Sequence, residues 1–367
     1  MNKLKIGYVG CGGIANQKHF PALMQVKDIC EIVAFCDIIE ERAVKAAKEF
    51  GTEGAKVYTD YREMLKDKDI DVVHVCTPNV SHCPITVAAF EAGKHVLCEK
   101  PMAATVEDAQ KMMDAWKKSG KKFTIGYQNR FRPEVLSLHK ACEAGELGDI
   151  YFAKAHALRR RAVPTWGVFP DKSQQGGGPL IDIGTHALDI TLWMMNNYEP
   201  VSVSGSVFEK LGHLPEAVEG NIFGPWDPET YEVEDSAFGY IKMKNGATIF
   251  LESSWALNVL ESKEASTTLC GTKAGAEIHS GMSFPEDELI YAKTEHSMLM
   301  DEKPATAGKV AYFEGHGNEP AVLEAKKWLG AILNGTEPMV NPEQAFVVTK
   351  ILDAIYKSAA TGKEVIF

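Results

Sequence analysis

The chain has 367 residues, which at roughly 150 residues per domain suggests about two domains. Lys and Arg number 39 against 50 Asp and Glu, a net charge of −11 with His neutral, which argues against the basic footprint that nucleic acid or an anionic membrane surface would demand. Hydrophobic content of 45% and charged content of 24% are ordinary globular values, so disordered and collagen-like classes drop out and a real hydrophobic core is expected. The cysteines at 11, 30, 36, 76, 83, 98, 142 and 270 form no C-x-x-C and read as small buried thiols of a reducing, cytoplasmic protein. Cys76, His82 and Cys83 lack zinc-ligand spacing, so no metal is expected. Gly7, Gly10, Gly12 and Gly13 interrupt the N-terminal apolar stretch, so it reads as no signal peptide, and no run of about 18 apolar residues occurs.

In chain order, Lys5 to Val9 reads as a strand ending in glycines, and Ile14 to Val26 as an amphipathic helix. Strands at Glu31 to Cys36, Val72 to Cys76, His95 to Cys98 and Phe123 to Tyr127 alternate with helices at Glu41 to Phe50, Ile85 to Ala92 and Val106 to Lys118. This alternation predicts an α/β fold with a parallel sheet covered by helices, its ligand-binding loops along one edge. Beyond about residue 130 the strands lengthen and alternate: Ile150 to Leu158, Val201 to Leu211, Glu232 to Lys244 and Ala247 to Ala256, the last two joined by an Asn245-Gly246 hairpin. This half predicts a mainly antiparallel sheet. A Gly- and Pro-rich loop, Val163 to Pro179, precedes a helix at Leu180 to Met195, and Leu214 to Tyr231 is an acidic, Pro-containing insertion. From Glu319 onward two helices carry Trp328, Ile332, Ile351 and Ile355.

Gly10-Cys11-Gly12-Gly13-Ile14-Ala15 fits G-x-G-x-x-G/A. Gly10 permits the tight turn, Gly12 lets a pyrophosphate approach the backbone, and Ala15 lets helix and strand pack closely. The helix that opens here aims its unsatisfied N–H groups at the anion. Asp37 ends the second strand, where a carboxylate accepts from an adenosine ribose and repels a 2′-phosphate, so NAD is expected over NADP. A structural turn and an N-cap Asp would be the bland alternative.

Thr77-Pro78-Asn79, with His82 opening the next helix, and Glu99-Lys100-Pro101 end two neighbouring strands. Asp182 and His186 lie i, i+4 on one helical face. A carboxylate beside an imidazole sets its tautomer and raises its basicity, and a Lys near the same oxygen holds a developing alkoxide. In isolation such an Asp/His pair is more often a surface contact, and a lone Lys before Pro is usually solvated.

In these pieces, together with Gly126-Tyr127-Gln128-Asn129-Arg130-Phe131, the chain resembles the Gfo/Idh/MocA family of NAD(P)-dependent sugar and cyclitol oxidoreductases, along most of its length. The resemblance implies an N-terminal Rossmann domain (1–126) and a C-terminal α/β domain (127–367) with a large open sheet, the C-terminal helix packing back on the first. It implies Lys100, Asp182 and His186 as the catalytic group and as substrate contacts. It implies that Gly10, Gly12, Gly13, Ile14, Asp37, Thr77, Pro78, Asn79, His82, Glu99, Lys100 and Gln128 line NAD, with Tyr127 beside the substrate. The Lys100–Pro101 bond is often cis in such proteins. The stretch from Arg159-Arg160-Arg161 through Thr165-Trp166-Gly167 to Gly176-Gly177-Gly178 is similar to the branch that oxidises the 3-hydroxyl of glucosides. Trp166 stacks on a sugar ring or anchors its loop. The arginines more readily serve ion pairs between subunits or a solvated strand than an acidic substrate group.

The expected activity is hydride transfer from a ring CH–OH of a sugar, glycoside or cyclitol to NAD. If NAD is tightly bound, a keto-sugar is needed to reoxidise it. Either His186 or Lys100 is the base. Two other classes stay open: a glycosidase working through transient oxidation and elimination, and a non-catalytic NAD- or sugar-sensing regulator, which the presence of all three catalytic residues disfavours. An open antiparallel sheet face needs covering, which points to a homo-oligomer.

Overall fold

The computed structural model describes residues 3–284, 286–305 and 320–367. The chain divides into two compact units, Met1–Phe131 with Glu314–Phe346, and Arg132–Phe313 with Val347–Phe367. All eight cysteines are free thiols. Among the described residues no helix is long and apolar enough to cross a membrane.

The first unit starts with β1 (Leu4–Val9), a π-helical turn (Ala15–His19) and α1 (Phe20–Met24). Then come β2 (Cys30–Cys36), α2 (Glu40–Phe50), β3 (Lys56–Tyr58), α3 (Tyr61–Leu65), β4 (Val72–Val75), α4 (His82–Glu91), β5 (His95–Glu99), α5 (Val106–Ser119) and β6 (Phe123–Gly126). The strands form one sheet in the order β3-β2-β1-β4-β5-β6, and every pairing is parallel. The strand order reverses between β1 and β4, the place where open sheets of this kind bind their ligands. All four residues of β4 are buried, as a strand covered on both faces should be. The sequence reading did not include β3 and α3. The strand is only three residues long and fully or partly exposed, so it carries no periodic signal. The helix does announce itself through Asp60, whose side chain accepts from the Arg62 N–H at 2.9 Å as an N-cap.

The second unit contains α6 (Pro133–Glu143), β7 (Ile150–Leu158), α7 (Lys172–Gln175), a second π-helical turn (Leu180–Gly184) and α8 (Thr185–Met195). Strands β8 (Pro200–Phe208), β9 (Ser236–Met243), β10 (Thr248–Ser254), β11 (Lys263–Gly271), β12 (Gly275–His279), β13 (Glu288–Glu295) and β14 (Met298–Glu302) follow. The chain ends with α9 (Pro320–Asn334), α10 (Pro342–Thr361) and β15 (Val365–Ile366); Glu319, where two helices were expected to begin, lies outside the described residues. Nine strands form a sheet in the order β14-β13-β12-β11-β7-β10-β9-β8-β15, antiparallel except for the parallel β7/β10 pair. Gly246 turns the β9–β10 hairpin with φ at +88°. Helix α8 packs on β7 and β11 and is buried from Thr185 through Met194.

Two expectations shift for a physical reason. The strand read from Glu232 begins only at Ser236, because the Glu234 and Asp235 side chains bind loop backbone instead of extending the ladder: Asp235 Oδ2 gathers the N–H groups of Lys210, Leu211 and Gly212. That same cluster ends β8 at Phe208, short of the predicted Leu211. Strand β11 escaped the sequence reading because its buried positions include Ser266 and Thr267; Thr267 shares a 2.9 Å hydrogen bond with Thr191 of α8.

Helix α9 belongs to the first unit. Its Val322, Ala325, Trp328 and Leu329 join Ile6, Tyr8 and Phe20 in one buried cluster. The Trp328 indole donates to Nε2 of His74 at 3.2 Å. An indole only donates, so Nε2 accepts and the proton of the neutral ring sits on Nδ1, facing the Tyr8 oxygen at 2.8 Å. Burial, aided by His19 and Lys18, lowers the His74 pKa well below its usual value, consistent with that neutral tautomer. Trp328→Ala should therefore cost about 3–5 kcal/mol, read as a lower denaturant midpoint of the first unit, with Trp328→Phe losing less.

Candidate active site

The glycine turn is built by contacts that a side chain would break. Gly10 has φ at +95°, and a Cβ there would meet the Cys76 carbonyl oxygen at 2.3 Å. At Gly12 and Gly13 a Cβ would meet nothing within 4 Å, so the backbone borders open space where a ligand phosphate can approach. Ala15 is fully buried and Ile14 is partly exposed. Between them Cys11 points inward; burial first, then Asp37, pushes its thiol up to about 12, which makes it inert packing. Asp37 holds the turn from below: Oδ2 accepts from the Cys11 N–H at 2.8 Å and Oδ1 from Ile39 at 2.9 Å. Carboxylate oxygens each accept more than once, so these bonds leave capacity for ribose hydroxyls.

After β4, Thr77 and Pro78 are partly buried and Asn79 is buried. The Thr77 hydroxyl is a buried polar atom with no hydrogen-bond partner, as expected of a group that awaits a ligand. His82 is fully buried with Nδ1 at 2.8 Å from the Pro101 carbonyl and Nε2 at 3.0 Å from the Thr77 carbonyl. Both ring nitrogens are thus turned to backbone, and His82 clasps the β4 and β5 loops together.

Glu99 is the node of the first unit. Its Oε1 is 2.8 Å from Lys18 Nζ and 2.7 Å from His19 Nε2, and its Oε2 accepts from the Lys100 N–H at 3.1 Å. Lys18 also pairs with Glu324 of α9 at 2.9 Å and reaches the Gln128 side-chain oxygen at 3.4 Å. Burial works to raise Glu99, yet Lys18 and His19 hold it well below the usual carboxylate range. Burial likewise opposes charge on Lys18, but Glu324 and Glu99 together raise its pKa. Gly126 on β6 makes room, since a Cβ there would stand 2.8 Å from the Glu99 carboxylate. Lys100, partly exposed, follows directly, before a cis bond to Pro101. Tyr127 is fully buried. Lys18, His19 and Glu324 escaped the sequence reading. A basic pair on the helix after the glycine turn was the only signal for Lys18 and His19, and Glu324 on α9 had none.

In the second unit another buried carboxylate sets the geometry. Glu234 accepts from Gly178 at 2.8 Å, from Leu180 at 3.1 Å and from the Tyr356 hydroxyl at 2.8 Å; burial raises its pKa against those bonds. The glycine loop is packed as tightly as the turn at Gly10: a Cβ on Gly177 would meet Tyr356 Oη at 2.2 Å, and one on Gly178 the Glu234 carbonyl at 2.3 Å. Asp182 sits in the π-helical turn and accepts from the Trp255 indole at 3.0 Å; His186, 8% exposed, lies in the first turn of α8. Arg159 pairs with Glu264 at 2.7 Å and Arg161 reaches Asn258 at 2.7 Å, so two of the three arginines are engaged within the chain. Trp166 is half exposed.

A parallel sheet in this strand order, with an open-backed glycine turn and a carboxylate at the end of β2, defines a dinucleotide-binding protein. Residues 4–127 match the family described as "Oxidoreductase family, NAD-binding Rossmann fold", and residues 139–367 its "C-terminal alpha/beta domain". The chain belongs to this Gfo/Idh/MocA oxidoreductase family, and its cofactor is NAD. It is 35% identical over 362 residues to a D-glucoside 3-dehydrogenase of Escherichia coli, covering 99% of this chain and 97% of the relative. It is 27% identical to a levoglucosan dehydrogenase of Pseudarthrobacter phenanthrenivorans, with 98% and 97% covered. Among solved structures, a levoglucosan dehydrogenase in complex with NADH and levoglucosan superposes with a TM-score of 0.85 at 25% identity over 100% of this chain and 99% of that one.

Lys18→Met would strand Glu99 and Glu324 without their shared cation, which should cost about 3–5 kcal/mol. The sign with pH follows from the depressed Glu99 pKa: its contribution is present above the ordinary carboxylate value and is lost as pH falls through the lowered one. Acid titration should therefore unfold Lys18→Met at a higher pH than the unsubstituted protein.

Proposed function

We propose that the protein oxidises a secondary ring hydroxyl of a glycoside, with the 3-hydroxyl of a glucoside as the favoured position, to a keto-glycoside. The observation that carries this reading is the Asp182 carboxylate fixed by the Trp255 indole, four residues before His186. The similarity to glucoside 3- and levoglucosan dehydrogenases supports the substrate class.

The C–H bond breaks with its electron pair leaving as hydride, while the hydroxyl loses its proton and the C=O bond forms. Bound NAD supplies the hydride acceptor. Gly12 and Gly13 leave room for its pyrophosphate, Asp37 receives a ribose, and the Thr77 hydroxyl gains a partner. In this reading Gln128, Pro78 and Asn79 lie along the same edge. His186 takes the hydroxyl proton and Asp182 stabilises the resulting imidazolium. Lys100, aimed by the Glu99 node, steadies the oxygen as charge develops on it.

The purified protein should form NADH absorbance with a glucoside, and mass and NMR analysis should find the keto-glycoside. Free sugar released without added NAD would instead establish hydrolysis. Lys100→Ala and His186→Ala should each lower kcat by on the order of 100-fold or more. Normal turnover by either would remove that residue from the mechanism. If His186 is the base, the acidic limb of the kcat profile disappears in His186→Ala and persists in Lys100→Ala.

Asp37→Asn keeps the shape at the end of β2 and removes the charge that repels a 2′-phosphate. The ratio of kcat/KM for NADP over NAD should rise about tenfold, about 1.4 kcal/mol. We also propose a cytoplasmic homo-oligomer. The free thiols support the compartment. The assembly is supported by an aromatic row on one face of the large sheet, where Phe250 lies 5.7 Å from Phe152 and 5.1 Å from Tyr240 and remains partly exposed. Light scattering should give a multiple of the chain mass.

A further inference from the structure

The insertion between β8 and β9 is an anchored structure that presents exposed aromatic residues. Trp226 is buried and donates to the Gly212 carbonyl at 2.7 Å, and Tyr231 is buried beside it. Asn221 ties the insertion to the loop after β7: Val163 N–H donates to Asn221 Oδ1 at 2.8 Å, and Asn221 Nδ2 donates to the Val163 carbonyl at 3.0 Å. The Thr165 hydroxyl adds a bond to the Phe223 carbonyl at 2.5 Å. Yet Trp166 is 51% exposed and Phe223 36%. Large aromatic rings held in place on a rigid base and left open to water mark a binding surface.

The rings lead to Asp182. Trp255, whose indole holds the Asp182 carboxylate, meets Phe169 edge to face at 6.1 Å and 79°. Phe169 meets Trp166 at 5.8 Å and 73°. Trp166 and Phe223 then stand at 4.8 Å and 89°, two walls of a corner. Two ring contacts thus separate the indole that binds Asp182 from the exposed Trp166.

We infer that Trp166 and Phe223 form an aglycone subsite, and that the substrate is a glycoside whose aglycone is itself a ring with an apolar face, in preference to a free monosaccharide or a small alkyl glycoside. This rests on Asp182 and His186 handling the hydroxyl of the glycone. The reacting sugar lies at Asp182 and the ring beyond the glycosidic oxygen lies against Trp166 and Phe223. The CH face of a second pyranose and the face of an aryl group share this chemistry.

The test compares methyl glucoside, phenyl glucoside and a glucosyl-glucose disaccharide on the full chain, by NADH formation and by calorimetric binding. The unsubstituted protein should favour the two ring-bearing glucosides by on the order of tenfold in kcat/KM and in affinity. Preference for the disaccharide alone identifies a second sugar; preference for both identifies any ring with an apolar face. Trp166→Ala and Phe223→Ala should collapse the preference toward parity, acting mainly through KM, and Trp166→Phe should restore most of it. No preference in the unsubstituted protein, or an unaltered preference in Trp166→Ala, overturns the subsite while leaving hydride transfer intact. Selective, Trp166-dependent binding with no NADH from any glucoside would overturn the oxidation and keep the subsite. Dissociation of an oligomer by Trp166→Ala would show the corner to be a subunit contact and overturn the inference.

Discussion

The buried charge of Glu99 is the constraint around which the first unit is organised. A carboxylate this deep is tolerated only with counter-charge and hydrogen bonds. Lys18 and His19 supply them from the helix after the glycine turn, and the Lys100 N–H supplies one from the strand end. Because Lys18 is itself buried and also needs Glu324, a residue more than two hundred positions away completes the balance. This explains why α9, late in the chain, belongs to the first unit. Its Trp328 fills the core and sets the His74 tautomer, while its Glu324 closes the ion cluster. The glycine turn, the strand carrying Lys100 and the late helix are held by one electrostatic arrangement.

The second unit solves the corresponding problem without a cation. Glu234 takes two backbone N–H groups and a tyrosine hydroxyl, and burial leaves its pKa raised where that of Glu99 is depressed. The two arrangements suit their tasks. Ion pairing fixes a strand end against a helix contributed from far along the chain. N–H donation to Glu234 fixes the loop at the start of the π-helical turn that carries Asp182. Gly177 and Gly178, which read as part of a Gly- and Pro-rich loop, are small because Tyr356 and Glu234 occupy the space beside them.

Much of this was legible in the sequence because it has a local signature. The strand–helix alternation, the G-x-G turn, the Asn245-Gly246 hairpin and the Asp182/His186 spacing are all set within a few residues of chain. What escaped the reading depends on contacts between distant residues. Glu324 on α9 looks like an ordinary helix-surface carboxylate until Lys18 is placed beside it. Ser266 and Thr267 look like solvent-facing residues until α8 covers them with Thr191. Glu234 and Asp235 look like the start of a strand until their side chains are seen to gather loop N–H groups. In each case a polar residue is buried because a partner remote in sequence satisfies it, and no periodicity or spacing rule reports such partners.

The net charge of −11 poses one further question: how an acidic chain receives a dianionic pyrophosphate. The glycine turn carries no acidic side chain, and its nearest carboxylate, Asp37, spends an oxygen on the Cys11 N–H and another on Ile39. Its charge is directed toward those backbone donors, and the open side of Gly12 and Gly13 is where a pyrophosphate would approach backbone N–H groups. Deeper negative charge at Glu99 is matched by Lys18 and His19. Selectivity at this edge is thus a matter of where each carboxylate points, and the sum over the chain has little influence on it. The substrate side follows a different logic, since sugar hydroxyls and ring faces carry no charge. In the proposed reading the chain would meet them with aromatic rings, placed in the acidic insertion and the loop after β7, where extra residues can be accommodated without disturbing either sheet.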